Sequence, residues 1–185
     1  MKFEHGRTAR IEQALAKAVM KLQPVEALPQ IAAEALVTGL DSPSLRILAG
    51  SNSTDPPAEL WELFTKSARE LGLSAPDEIA AARLLLRFYI KDIAEGQIAP
   101  ARGVERILTD IYHPVGRKLT EKYAGDGLGI ESLLGDYYAY DDAWSGRLEF
   151  EGRRLTKEEA WQILDQSITD EARRILAETD SGAAT

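Results

Sequence analysis

Pro76-Asp77-Glu78-Ile79-Ala80-Ala81-Ala82-Arg83-Leu84-Leu85-Leu86-Arg87-Phe88-Tyr89-Ile90-Lys91-Asp92-Ile93-Ala94-Glu95 is the stretch on which the reading of the fold turns. Ile79, Ala82, Leu85, Leu86, Phe88, Tyr89, Ile90 and Ile93 leave little of a helical circumference polar, which predicts a central, buried helix. Asp77 and Glu78 suit its positive N-terminal end, and Gly96 suits its stop. Arg83, Arg87 and Lys91 recur at four-residue steps as a basic ridge. Its expected work is to pair with carboxylates, with a pocket for an acidic ligand as the alternative.

Working towards the N-terminus, helical spacing continues. Leu60, Leu63, Phe64, Ser67, Ala68 and Leu71 follow i, i+3, i+4, i+7 steps, and Gly72 ends them. Gly50-Ser51-Asn52-Ser53-Thr54-Asp55-Pro56-Pro57 reads as a loop, with Asp55 expected to cap the helix that follows. Asp41-Ser42-Pro43-Ser44 is a helix-start signal, and Pro29 to Val37 makes a further helix before Gly39. The first helix carries Ile11, Leu15, Val19 and Leu22, with Thr8 as its expected cap and Pro24 as its end.

Towards the C-terminus, Val104, Ile107, Leu108 and Ile111 form a stripe that starts after Pro100 and is expected to break at His113-Pro114. A short helix over 114–123 and a glycine-rich connector, Gly125 to Gly129, come next. Ile130, Leu133, Leu134, Tyr137 and Tyr138 then resume helical spacing as far as Trp144. Residues 147–155 alternate apolar and charged, as in a short hairpin about Gly152 or an extended connector. Thr156 and Glu159 form a capping box for a last helix with Trp161, Leu164, Ile168, Ala172 and Ile175 inward. That helix is expected to pack across the one at 76–95. The expected fold is all-α, a single helical-bundle domain over residues 1–179 of about seven to nine helices, followed by a disordered tail at 180–185.

The run Gly39-Leu40-Asp41-Ser42-Pro43-Ser44-Leu45-Arg46-Ile47-Leu48-Ala49-Gly50 resembles a segment of uncharacterised bacterial helical proteins. The resemblance implies a bacterial source and brings no activity with it. Physically the run is a capped turn of helix, with Arg46 as an anchor for a carboxylate.

Composition narrows the function. The chain has 185 residues, 44% of them hydrophobic, enough for a real core without staples. It has no cysteine, which excludes disulfides, thiolate catalysis and cysteine-bound zinc. No apolar signal region and no long apolar span occur, so the expected location is the cytoplasm, without membrane association. The formal charge is −8, although residues 1–23 sum to +3. An acidic surface disfavours nucleic acid and favours a basic partner.

Chemistry is sparse. The two histidines are His5, near the start, and His113, where a cation suits a helix C-terminus. No zinc-hydrolase, nucleophile-elbow or P-loop pattern is present, and no cofactor or metal is called for. Gly125-Asp126-Gly127-Leu128-Gly129 follows a helix rather than a strand, which favours a connector over an anion cradle.

The most unusual stretch is 121–151. It sets eight acidic residues against Lys122 and Arg147, a balance of −6, and adds Tyr123, Tyr137, Tyr138, Tyr140, Trp144 and Phe150. One reading makes the aromatics core and the acids the solvated side. A second makes Asp136, Tyr137, Tyr140, Asp141, Asp142 and Trp144 a partner-binding surface, with Tyr137, Tyr140, Asp141 and Trp144 sharing one helical face. There aromatics supply buried area and carboxylates steer a basic protein, as in an immunity or antitoxin-like inhibitor. A third places a divalent ion at Asp136, Asp141 and Asp142, as in a carboxylate enzyme using magnesium. A homo-oligomeric helical protein is a further possibility.

Overall fold

The structure is a computed structural model that describes residues 4–119, 123–145, 149–150 and 152–182. It is 74% helical, which makes the fold all-α. Eight α-helices of more than one turn are found among the described residues. They are α1 (Glu4–Val19), α2 (Leu28–Val37), α3 (Pro43–Ala49), α4 (Pro57–Glu70), α5 (Glu78–Ala94), α6 (Pro100–Ile107), α7 (Glu131–Trp144) and α8 (Lys157–Gly182). The chain falls into two compact units, Met1–Leu85 and Leu86–Thr185, with the boundary inside α5.

In the first unit, α2, α3 and α4 pack in succession and α1 lies against α2. Ile11, Leu15, Leu28, Ala32, Leu45, Leu48, Leu60, Phe64 and Ala68 form one buried cluster. Thr8, expected as a cap, lies inside α1 and donates from its hydroxyl to Glu12 Oε1 at 2.8 Å. Helix α1 ends at Val19, before Pro24. Lys21 takes the left-handed conformation (φ 59°), and the Leu22 amide returns to the Lys17 carbonyl at 2.7 Å, closing the C-terminus with backbone bonds. Asp55 secures its own loop rather than α4, accepting from the Asn52 amide at 2.8 Å.

The Asp41–Arg46 segment explains itself in this unit. Ser42 Oγ accepts from the Leu45 amide at 3.3 Å, an N-cap. Glu70, at the end of α4, accepts from the Ser44 amide at 2.9 Å and from Ser44 Oγ at 2.8 Å. A carboxylate thus sits at the positive end of α3, and those bonds lower the Glu70 pKa. Arg46 closes on Asp41 through both carboxylate oxygens, with Nε 2.6 Å from Oδ1, and lowers the pKa of Asp41.

The α5 sequence delivers the expected burial, with Ala81, Ala82, Leu85, Leu86, Tyr89, Ile90 and Ile93 all enclosed. Asp77 Oδ1 caps it through the Ala80 amide at 2.8 Å. The basic ridge is exposed, and Lys91 reaches Glu95 at 3.7 Å.

In the second unit, α6 comes close to α5 at Gly103, where a Cβ would stand 2.3 Å from the Ile93 side chain. His113-Pro114 does not break this helical path. Leu108–Tyr112 widen into a π-turn, followed by an α-turn at His113–Val115 and a 3₁₀ turn at Gly116–Lys118. Proline has no N–H to donate and crowds the carbonyl one turn back, and the wider turn accommodates both. The short helix expected over 114–123 stops at Lys118 with Leu119 extended, and residues 120–122 lie outside the described residues.

Helices α7 and α8 make the largest helix pairing of this unit, and α6 touches both. Between α7 and α8 a two-residue hairpin pairs Glu149 with Arg154 and Phe150 with Arg153, and Gly152 turns at φ +77°. Helix α8 runs to Gly182, beyond the expected start of the tail at Asp180, because nothing before that glycine breaks it. Residues 183–185 lie outside the described residues.

Candidate functional site

The start of α8 is fixed by the capping box. Thr156 Oγ1 accepts from the Glu159 amide at 3.3 Å, and Glu159 Oε2 accepts from the Thr156 amide at 2.9 Å. Arg153 grips the same carboxylate with two nitrogens, each at 3.1 Å. Together the arginine and the Thr156 bonds hold the Glu159 pKa down at about 2. This construction sets Lys157 in the first turn, four residues before Trp161 and on the same face.

Helix α7 runs antiparallel to α8 in a register marked at three levels, one turn apart. Ser167 Oγ donates to Asp136 Oδ2 at 2.7 Å. Tyr140 donates from its hydroxyl to Asp165 Oδ1 at 2.6 Å. Trp144 stacks on Trp161, with ring centroids 6.1 Å apart and planes 20° from parallel. Burial and the Asp165 bond push the Tyr140 phenol well up from its ordinary value, so it stays a neutral donor.

The six residues named from sequence therefore separate. Asp136 and Tyr140 face α8 and are engaged there. Tyr137 is partly buried, with its ring 5.7 Å from that of Tyr138 and 6.4 Å from that of Tyr140. Asp141, Asp142 and Trp144 are exposed, Trp144 to 68%. Tyr138 joins them at 53%. The six are thus divided, and the exposed side chains of this helix include Tyr138, Asp141, Asp142 and Trp144.

Two contributors were not singled out by the sequence. Lys157 Nζ lies 3.2 Å from the centre of the Trp144 ring and 4.3 Å from that of Trp161, so one ammonium sits between two indoles. Lys157 makes no ion pair among the described residues. Helical spacing assigns Trp161 to a buried stripe. It is partly exposed, and its Nε1 is enclosed without a hydrogen-bond partner among the described residues, so packing and the Lys157 ammonium hold the ring. The i, i+4 pair Lys157/Trp161 was the available signal.

Other places offer less. Asp136, Asp141 and Asp142 do not gather around one point, and no group of three or more metal-ligating side chains converges among the described residues. The amides about Gly125 are spent locally, with Leu128 and Ile130 both donating to the Gly125 carbonyl. Gly125 itself needs its left-handed φ of +90°. His113 is exposed and its ring lies 6.1 Å from that of Tyr112. A shallow groove of about 430 Å³, lined by Arg153, Leu155, Glu159, Gln162, Ile163 and Gln166, lies on the face of α8 away from Trp161. Tyr89, Asp110 and Arg106 form a closed cluster: the Tyr89 hydroxyl donates to Asp110 at 2.8 Å and the guanidinium lies 4.7 Å over the ring. No described helix is long and apolar enough to cross a membrane.

Comparison of the chain with protein-family models, curated proteins and solved structures returns no match.

Proposed function

We propose that this chain is a non-enzymatic binding protein that receives a basic protein partner along the outer edge of α7. The observation that carries the reading is the joint exposure of Tyr138, Asp141, Asp142 and Trp144 over the last two turns of that helix. Aromatic side chains held out in water offer area to a partner, and neighbouring carboxylates select a basic one.

The end of α7 adds to the charge argument. Its last turn holds no basic residue, as in α2 and α8, whereas α1, α3, α4, α5 and α6 each end with one. The carbonyls and carboxylates at this terminus favour a cation from outside. A cytoplasmic immunity or antitoxin-like inhibitor that masks a basic protein of a bacterial cell is the concrete form of the proposal.

The test is recovery of partners from extract of the native cells on the tagged chain, beside an Asp141→Lys/Asp142→Lys version. The expected result is a basic protein retained by the first and lost by the second, with retention weakened by salt. Empty recoveries from both versions would sink the reading and leave the edge as an ordinary solvated face.

A further inference from the structure

We infer that Trp144 and Trp161 form a cation clamp, which Lys157 occupies in the free protein and which an arginine side chain of the basic partner takes over on binding. The arginine, rather than a small amine, rests on the reading of α7 as a site for a basic polypeptide. The clamp itself rests on its own geometry.

Two near-parallel indoles with an ammonium between them present their electron-rich faces to one charge. Trp144 is the outer wall and faces solvent, so the clamp opens outward without disturbing the core beneath. The inner wall, Trp161, packs with Tyr140 against the buried cluster of Ala143, Leu155, Ala160 and Leu164. The Tyr140–Asp165 bond keys the two helices one turn below.

Lys157 is a replaceable occupant. It sits in the first turn of α8, where the helix dipole opposes a positive charge, and the ring faces offset that disadvantage. It makes no ion pair among the described residues to hold it there. An incoming guanidinium would take the same place against Trp144, in the helix turn that also carries the exposed Asp141 and Asp142. Guanidinium is planar and more weakly hydrated than ammonium, so it loses less on entering a stacked site. Lys157 then acts as a built-in competitor that lowers the apparent affinity by the fraction of time it fills the clamp.

The experiment uses the full chain with a short oligo-arginine peptide and a length-matched oligo-lysine peptide, followed by tryptophan fluorescence and by NMR of the Lys157 ε-methylene. In the free protein those protons should be shifted upfield by the rings, and oligo-arginine should return them to ordinary positions. Lys157→Met should bind oligo-arginine about threefold to tenfold more tightly than the native chain, the range expected for one lost cation–π competitor. Lys157→Gln serves as the second variant should the first fail to fold. Trp144→Ala should erase the difference between oligo-arginine and oligo-lysine.

Lys157 protons that stay upfield at saturating peptide would overturn the clamp, as would Lys157→Met and Lys157→Gln binding no more tightly than the native chain. Binding that needs Asp141 and Asp142 but ignores Trp144 and Lys157 also overturns it, while leaving the partner surface intact. Displacement of Lys157 by oligo-arginine supports the clamp even where the native extract yields no partner, the result that sinks the wider reading.

Discussion

The α3–α4 corner and the α7–α8 edge are built from similar side chains and use them in opposite ways. At the corner, Asp41 holds Arg46 and Glu70 holds both the amide and the hydroxyl of Ser44. Ser42 and Ser44 are 5% and 1% exposed. Each acid has a local task, and the aromatic beneath them, Phe64, is 1% exposed. At the edge, Tyr138, Asp141 and Trp144 stand in solvent, and the cation nearest them is held by ring faces alone. The two regions are alike in density of charged and aromatic residues and differ in how far those side chains stand in solvent.

The contrast predicts its largest effect in stability. Phe64→Ala should cost about 3–5 kcal/mol, because the ring is fully enclosed and its removal leaves a cavity. Trp144→Ala removes a larger ring at a mostly exposed position and should cost under about 1 kcal/mol. Urea unfolding checks both. Trp61, edge-on to Phe64 with centroids 5.8 Å apart, reports the first unit. A Trp144→Ala penalty as large as that of Phe64→Ala would break the comparison by making the outer tryptophan a core residue.

Next in size is the close approach of α6 to α5. Alanine at Gly103 would force the Ile93 side chain aside and should cost about 1–3 kcal/mol by overpacking. At the corner, Ser44→Ala should cost about 1 kcal/mol, the net worth of one buried hydrogen bond. It should also let the lowered pKa of Glu70 rise, since one of the two Ser44 bonds holding it down is lost. Denaturant midpoints measure the first two effects, and carboxyl NMR titration the third.

The corner was legible in the sequence because its information is local. Ser42 caps a helix three residues on, and Pro43 and Gly50 bracket it. The partnership with Glu70, 26 residues away, was not legible, because no spacing rule reaches across a helix pair. The same limit applies at the edge. Helical spacing put Tyr137, Tyr140, Asp141 and Trp144 on one face, and a face is an angle, not a depth. Contact with α8 decided that Tyr140 turns inward to Asp165 and that Trp144 meets Trp161. The π-turn at Leu108–Tyr112 escaped for a different reason. Proline signals a broken hydrogen bond, and a break and a widening look alike in sequence. The division into two units was also unreadable, since the boundary falls within the continuous apolar run of α5.

A smaller effect is read through pH. Glu159 is held at about 2, so its contribution to the start of α8 is complete above its ordinary value of 4.5. That contribution is lost as pH falls through about 2. Arg153→Ala should bring the Glu159 titration back towards the ordinary range and move that loss to higher pH. At the alkaline end the sign is reversed. Tyr89 is pushed up to about 12 by burial and Asp110, so the stability it lends is complete below pH 10 and lost as pH rises through about 12. Carboxyl NMR checks the first window, and phenolate absorbance of native chain against Tyr89→Phe checks the second.

The smallest expected effect on the fold carries the most weight for function. Asp141→Asn/Asp142→Asn changes two exposed residues, so stability should move by less than about 0.5 kcal/mol. Binding of a basic polypeptide should nevertheless fall, and its salt dependence should flatten, because the pair supplies steering rather than packing. The charge-matched change at the corner, Asp41→Asn/Glu70→Gln, severs the Arg46 pair and weakens the hold on Ser44, and should alter the local NMR spectrum of α3 without touching binding. If the two neutralisations weaken binding equally, the loss reflects net charge alone, and the edge has no claim over the corner as a site. If only the α7 pair matters, position decides, and the exposed edge of α7 is the surface a partner uses.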